Sequence, residues 1–128
     1  MTTTPNMARP TTVWTEIPVT DLKAAVDFYT KVFDWTLSLD ESGPNPMANF
    51  STDMQGVHGH LYPGKPAARG TGATIHLAVP DTLEATTERL AAAGGKVLMG
   101  PIDIPVGRFT YAEDLDGNSI GLFEFKAA

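Results

Sequence analysis

Residues 12–19 alternate, with Val13, Thr15, Ile17 and Val19 on one parity and Trp14, Glu16 and Pro18 on the other. A two-residue period marks a strand covered on one face. Asp21 is suited to cap a helix, and Leu22, Ala25, Val26, Tyr29, Val32 and Phe33 follow at helical spacing. That spacing predicts a helix ending near Phe33–Asp34. Trp35, Leu37 and Leu39 predict a second strand, closed by the turn-rich ESGPNP at 41–46. Two further strands are predicted at 47–53 and 56–62, joined by a tight turn around Asp53–Gly56. The order is β-α-β-β-β.

The same order then repeats. Residues 14–21, WTEIPVTD, are answered by residues 74–81, TIHLAVPD, and the pairs Ile17/Leu77, Val19/Val79, Asp21/Asp81 and Ala25/Ala85 share one offset. A repeat of this kind fixes architecture before any single residue does. Strand 74–79 leads to a helix, expected to be capped by Asp81 and stopped by Gly94-Gly95. Strands near 96–99, 108–113 and 119–125 complete the second copy, with Asp116-Gly117-Asn118 as the last hairpin turn. Two prolines in GPIDIPVG (100–107) predict a loop there and not a regular strand. The small-residue stretch 63–73 reads as a linker. The expected organisation is one domain, 1–128, with module one at about 12–62 and module two at about 74–125.

Composition narrows the function classes. A net charge of −6 argues against nucleic acid, which calls for a basic stripe. The chain has no cysteine, so thiolate metal sites, disulfides and cysteine nucleophiles are excluded. No apolar run is long enough to span a bilayer, and the start MTTTPNMARPTT has no signal-like core. A cytoplasmic location is the expectation, with no membrane or nucleic-acid partner.

The stretches IPVTDLKAAVDFYTKVFDW (17–35) and AAGGKVLMGPIDIPVGRFTYAEDLDGNSIGLFE (92–124) carry a family resemblance. With the repeat between them, the chain resembles the vicinal oxygen chelate superfamily: glyoxalase I, the bleomycin-resistance proteins and the extradiol dioxygenases. The resemblance implies an α+β fold of two tandem βαβββ modules, forming a curved, cup-shaped mixed sheet with helices outside, often as a homodimer. It also implies metal-ligand positions, and three of these fall on Trp14, Thr74 and Gly121; the fourth lies near His60, with Gly59 as the other register. Indole and glycine offer no ligand and a threonine hydroxyl is a poor one. No standard metal site and no cofactor are therefore expected.

Strand parity shows what replaces those ligands. Ile17, Val19, Val57, Leu61, Ile75, Leu77, Val79, Ile120 and Leu122 should face the helices. Trp14, Glu16, His58, His60, Tyr62, Thr74, His76, Ser119, Gly121 and Phe123 should face the cup. The parity at Tyr111 is ambiguous, and Arg108 is placed to clamp an anion or to be solvated. Phe28, Tyr29, Phe33 and Trp35 read as core.

Three readings of the histidines stay open. His58, His60 and His76 with Glu16 can form a displaced metal site. Glu16 and one histidine can act as an acid–base couple. Or the set lines a solvent-filled cup. The leading expectation is a small-molecule-binding protein whose ligand contacts are Trp14, Glu16, His58, His60, His76 and Tyr111, assembled as a homodimer. The alternative is a lyase, isomerase or dioxygenase-like enzyme that uses a metal or Glu/His acid–base chemistry.

Overall fold

In the computed structural model, residues 11–51 and 56–127 are described. The elements are β1 (Trp14–Val19), α1 (Leu22–Phe33), β2 (Ser38–Asp40), β3 (Met47–Asn49), β4 (His58–Pro63), β5 (Ile75–Ala78), α2 (Leu83–Ala92), β6 (Lys96–Ile104), β7 (Gly107–Glu113) and β8 (Ser119–Phe125). They form two βαβββ modules, each with a four-stranded mixed sheet, ordered β1-β4-β3-β2 and β5-β8-β7-β6. In each sheet the first and last strands of the module run parallel side by side. The chain returns through a helix between parallel strands, so that helix must lie on one face, and the other face stays open.

The covered faces carry the predicted apolar parity. Ile17, Val19 and Leu61 of the first sheet and Leu77, Ile120 and Leu122 of the second are buried. They join Phe28, Tyr29, Val32, Phe33, Leu83 and Leu90 of the helices in one continuous core. Trp35 stacks on Phe33 and Phe50 at ring-centroid distances of 5.0 and 4.6 Å. Val57 is the exception to the parity rule: it precedes β4 and is exposed.

Helix α1 begins as its sequence predicts. The Asp21 carboxylate accepts the Ala24 N–H at 3.1 Å, and the chain leaves the helix through Asp34 at φ 58°. Helix α2 differs: its cap is Thr82, whose hydroxyl accepts the Ala85 N–H at 3.1 Å. Asp81 lies one residue too early to cap. It accepts instead from Thr86 Oγ1 at 3.0 Å and from Arg89 at 2.8 and 3.0 Å. These Arg89 hydrogen bonds hold the Asp81 carboxyl down at about 2. Arg89 also donates to the Val32 carbonyl at the end of α1, so it is a joint between modules.

Two other expectations need correction. Strand β3 stops at Asn49, short of the expected residue 53, and the turn expected at Asp53–Gly56 lies mostly outside the described residues. Residues 100–104, expected in a loop, belong to β6. This strand is on the sheet edge, and its pairing with β7 shifts register on either side of Met99. An edge position and irregular pairing together accommodate a proline that lacks a donor.

The modules are locked together by a buried polar joint. Tyr29 Oη donates to Asp114 Oδ2 at 2.8 Å. Asp114 also accepts the backbone N–H groups of Asp116 and Asn118 and the Asn118 side chain, each at 2.9 Å. Asn118 Nδ2 reaches the Pro18 carbonyl of β1 at 2.9 Å. Burial, reinforced by the Asp114 charge, pushes the Tyr29 phenol well up. The linker is docked too: Arg69 donates to Glu113 at 2.7 Å and lies across Gly117. No helix among the described residues is long and apolar enough to cross a membrane.

Candidate functional site

The open face of the first sheet is built by two parallel strands in register, with Trp14 opposite His58 and Glu16 opposite His60. Trp14 Nε1 donates to His60 Nδ1 at 2.9 Å, and His60 Nε2 lies 3.2 Å from Glu16 Oε1. An indole N–H can only donate, so Nδ1 must present its lone pair and the ring proton of the neutral imidazole sits on Nε2, toward Glu16. Both nitrogens of His60 are thereby engaged by the protein. The His60 side chain is 9% exposed, whereas that of Glu16 is 66% exposed. The carboxylate is therefore aimed from below and open above. Tyr62 stands edge-on to His60 at 5.8 Å, and Trp14 is tilted to it at the same separation.

The second sheet uses the equivalent positions differently. His76, the repeat mate of Glu16, pairs with Gly121, which thus corresponds to His60. A Cβ at Gly121 would overlap the His76 imidazole, so the ring lies over bare backbone. Around it stand Phe109 at 4.9 Å, Tyr111 at 5.9 Å and Phe123 at 5.9 Å. Edge-to-face contacts of this geometry are favourable pairings of aromatic quadrupoles. Thr74 Oγ1 and Ser119 Oγ share a hydrogen bond of 2.6 Å beside them.

Of the six expected contact residues, Trp14, Glu16 and His60 come together on the first sheet, and His76 and Tyr111 on the second. His58 shares a cleft of about 870 Å³ with His76, between the free edge of β5 and residues Thr15, Trp35 and Phe50. Glu16, His60 and Tyr111 are not in that lining. Glu16 and His76 occupy matching positions on their two sheets, each opposite the last strand of its module. Phe109 is missed by sequence reasoning, although it has the same strand parity as Tyr111 and a signal was present once that parity was known. Arg108 is engaged within the chain, by Glu84 at 2.7 Å and Glu124 at 2.6 Å, and these hydrogen bonds raise its already high pKa.

The family-type metal does not fit these residues. The register places His60 at the fourth position, and its Nδ1 lone pair is taken by Trp14. Trp14, Thr74 and Gly121 supply no adequate donor. Among the described residues, no three histidine or carboxylate side chains converge as a metal ligand set.

Comparison with known proteins bears on this geometry. The profile of the Glyoxalase/Bleomycin resistance protein/Dioxygenase superfamily matches residues 11–122. The chain belongs to this superfamily. Among its superfamily relatives, CFP32 of Mycobacterium bovis is 28% identical over 118 residues, covering 87% of this chain and 44% of that protein. The anthracycline biosynthesis protein DnrV of Streptomyces peucetius is 29% identical over 126 residues, covering 86% and 45%. The chain thus spans less than half the length of these curated relatives. TnmS3, an antibiotic binding protein from Streptomyces sp. CB03234, superposes with a TM-score of 0.61 at 27% identity, over 94% of this chain and 99% of that one.

Proposed function

We propose that this superfamily member is a small-molecule-binding protein that works without the family's standard metal site. The observation that carries the reading is the closure of His60, whose two ring nitrogens are taken by Trp14 and Glu16. A histidine so engaged has no lone pair for a metal and serves to hold its neighbours in place. Trp14, Glu16, His58, His76 and Tyr111 are the proposed ligand contacts, with His60 supporting the first two. Aromatic walls with a few fixed polar groups suit a small organic ligand. The antibiotic-binding relative TnmS3 supports the same reading.

The proposal includes a twofold homodimer of a single-domain chain acting in the cytoplasm. Strands β1 and β5 each pair on one side only. Val97, Leu98 and Met99 on the edge strand β6, with Phe125, are large exposed apolar residues. Edges and apolar surface of this kind favour cover by another chain. CFP32 and DnrV also have length to spare for a second unit of this size. A sedimentation mass of one chain at micromolar concentration would refute the dimer, and cell fractionation tests the location.

The functional test is calorimetric titration of untagged, chelator-treated protein with a panel of aromatic antibiotics that includes an anthracycline. Binding of at least one panel member without added metal is the expected result. Binding of none, or binding only after a divalent ion is restored, would overturn the reading. One observation favours a second reading: the 3.2 Å Glu16–His60 contact also has the form of an acid–base couple for a lyase or isomerase. Turnover of a bound ligand, abolished by Glu16→Gln with binding retained, would establish that alternative.

A further inference from the structure

Resting on the small-molecule reading, and deepening it, we infer that the open face of β1 and β4 holds a subsite for an organic cation. Three features converge there. The Glu16 carboxylate lies 3.2 Å from the His60 ring, and no lysine or arginine pairs with it among the described residues. Its negative charge is therefore uncompensated, and its side chain is 66% exposed on the open face. Two electron-rich rings, Trp14 and Tyr62, pack against the same imidazole, each 5.8 Å from it.

A carboxylate alone in water attracts cations weakly, because solvent screens it and hydrates its partner. Aromatic faces change the selection. They attract a cation through the ring quadrupole, with indole the strongest, and they favour cations whose hydration is cheap to remove. An alkyl- or arylammonium group meets both requirements: its charge faces Glu16 and its carbon surface lies against Trp14 and Tyr62. A divalent metal meets only the first, since it has no carbon surface for the rings, and the His60 Nδ1 lone pair is taken by Trp14. A carboxylate ligand would be repelled by Glu16. His60 is a positioning residue in this subsite. On the second sheet the positions of Glu16 and His60 are taken by His76 and Gly121, so neither position carries a carboxylate. The cation preference belongs to the first sheet alone.

The test uses three probes of similar shape: (4-hydroxyphenyl)trimethylammonium, the neutral 4-tert-butylphenol and the anionic 4-tert-butylbenzoate. Each is titrated into the whole protein at neutral pH while the Trp14 indole N–H is followed by NMR, its signal assigned by its loss in Trp14→Phe. The cation should bind about tenfold more tightly than the phenol, a ratio in the range of a cation held by a ring and a carboxylate. The benzoate should leave the signal unmoved. Glu16→Gln, at an exposed position, should bring the cation to within about twofold of the phenol and leave the phenol unchanged. Equal binding of cation and phenol by the native protein would overturn the cation subsite while the small-molecule reading stands. A Trp14 signal that the cation fails to move at millimolar concentration would also overturn it. The antibiotic panel decides the wider reading separately.

Discussion

The strand pair Glu16/His60 in the first module and the pair His76/Gly121 in the second occupy equivalent places in two copies of one fold, yet they have opposite character. In the first, a carboxylate and an imidazole touch, and an indole donates a hydrogen bond to the imidazole's other nitrogen. In the second, an exposed imidazole fills the space left by a missing side chain and is flanked by phenyl and phenol rings. The fold requires only that these positions point away from the helices. It does not require any chemistry of them, so each copy is free to carry its own. One sheet offers a charge held in place, the other an aromatic surface.

Gly59 of the first sheet and Gly121 of the second also differ in how firmly they are fixed, and the largest expected effect tests this. A Cβ at Gly59 in β4 would strike the Thr15 carbonyl of β1 and the Phe50 ring. Backbone cannot step aside, so Gly59→Ala should cost about 3 kcal/mol or leave the protein unfolded. Chemical denaturation checks it, and a loss under about 1 kcal/mol would mean the β1–β4 pair is looser than described. The joint between modules comes next. Tyr29→Phe removes the phenol from buried Asp114 and should cost about 2 kcal/mol. The loss should appear in the unfolding midpoint while the Trp14 indole N–H signal keeps its position. Movement of that signal would show that the joint sets the geometry of the first face.

Gly121→Ala should be milder, at about 1 kcal/mol, because the obstacle is the exposed His76 ring, which can rotate. Its signature is loss of ring-current shifts among His76, Phe109, Tyr111 and Phe123, with the Trp14–His60–Glu16 chain untouched. The smallest effect concerns Asp81. Its folded pKa is held at about 2, below its ordinary 3.8, by hydrogen bonds from Arg89. A depressed carboxyl contributes stability that is full above its unfolded value and is lost as pH falls through its folded value. The unfolding midpoints of the native protein and Asp81→Asn should therefore differ above pH 4 and converge as pH approaches about 2. A constant difference across that window would remove the Asp81–Arg89 tie from the account.

Much of this was readable from residue order. The repeat, the strand parity and the Asp21 cap follow from local periodicity and short-range hydrogen bonding, which any chain segment displays by itself. Ile17, Val19, Leu77 and Leu122 could be assigned to the core for that reason. Register between strands is not local. Whether His60 or Gly59 stands opposite Glu16 depends on how β4 slides along β1, and a slip of one residue would turn every side chain over. That is why a metal site, a catalytic couple and a lining all stayed open for the histidines, with binding as the leading expectation. The parity of Tyr111, and with it the presence of Phe109, was hidden by the same cause. The edge strand through Pro101 was missed because a proline excludes a central strand but is compatible with an irregular edge. Asp81 misled because its repeat mate Asp21 does cap a helix, while Thr82 one residue later does so in the second copy.

Nitrogen NMR of the histidine rings during zinc addition decides whether His60 is closed by the protein's own side chains. The account predicts a neutral His60 ring with its proton on Nε2 and an unprotonated Nδ1 accepting from Trp14, unchanged through one equivalent of zinc per chain. A His60 nitrogen that moves to a metal-bound shift in step with that first equivalent would contradict it.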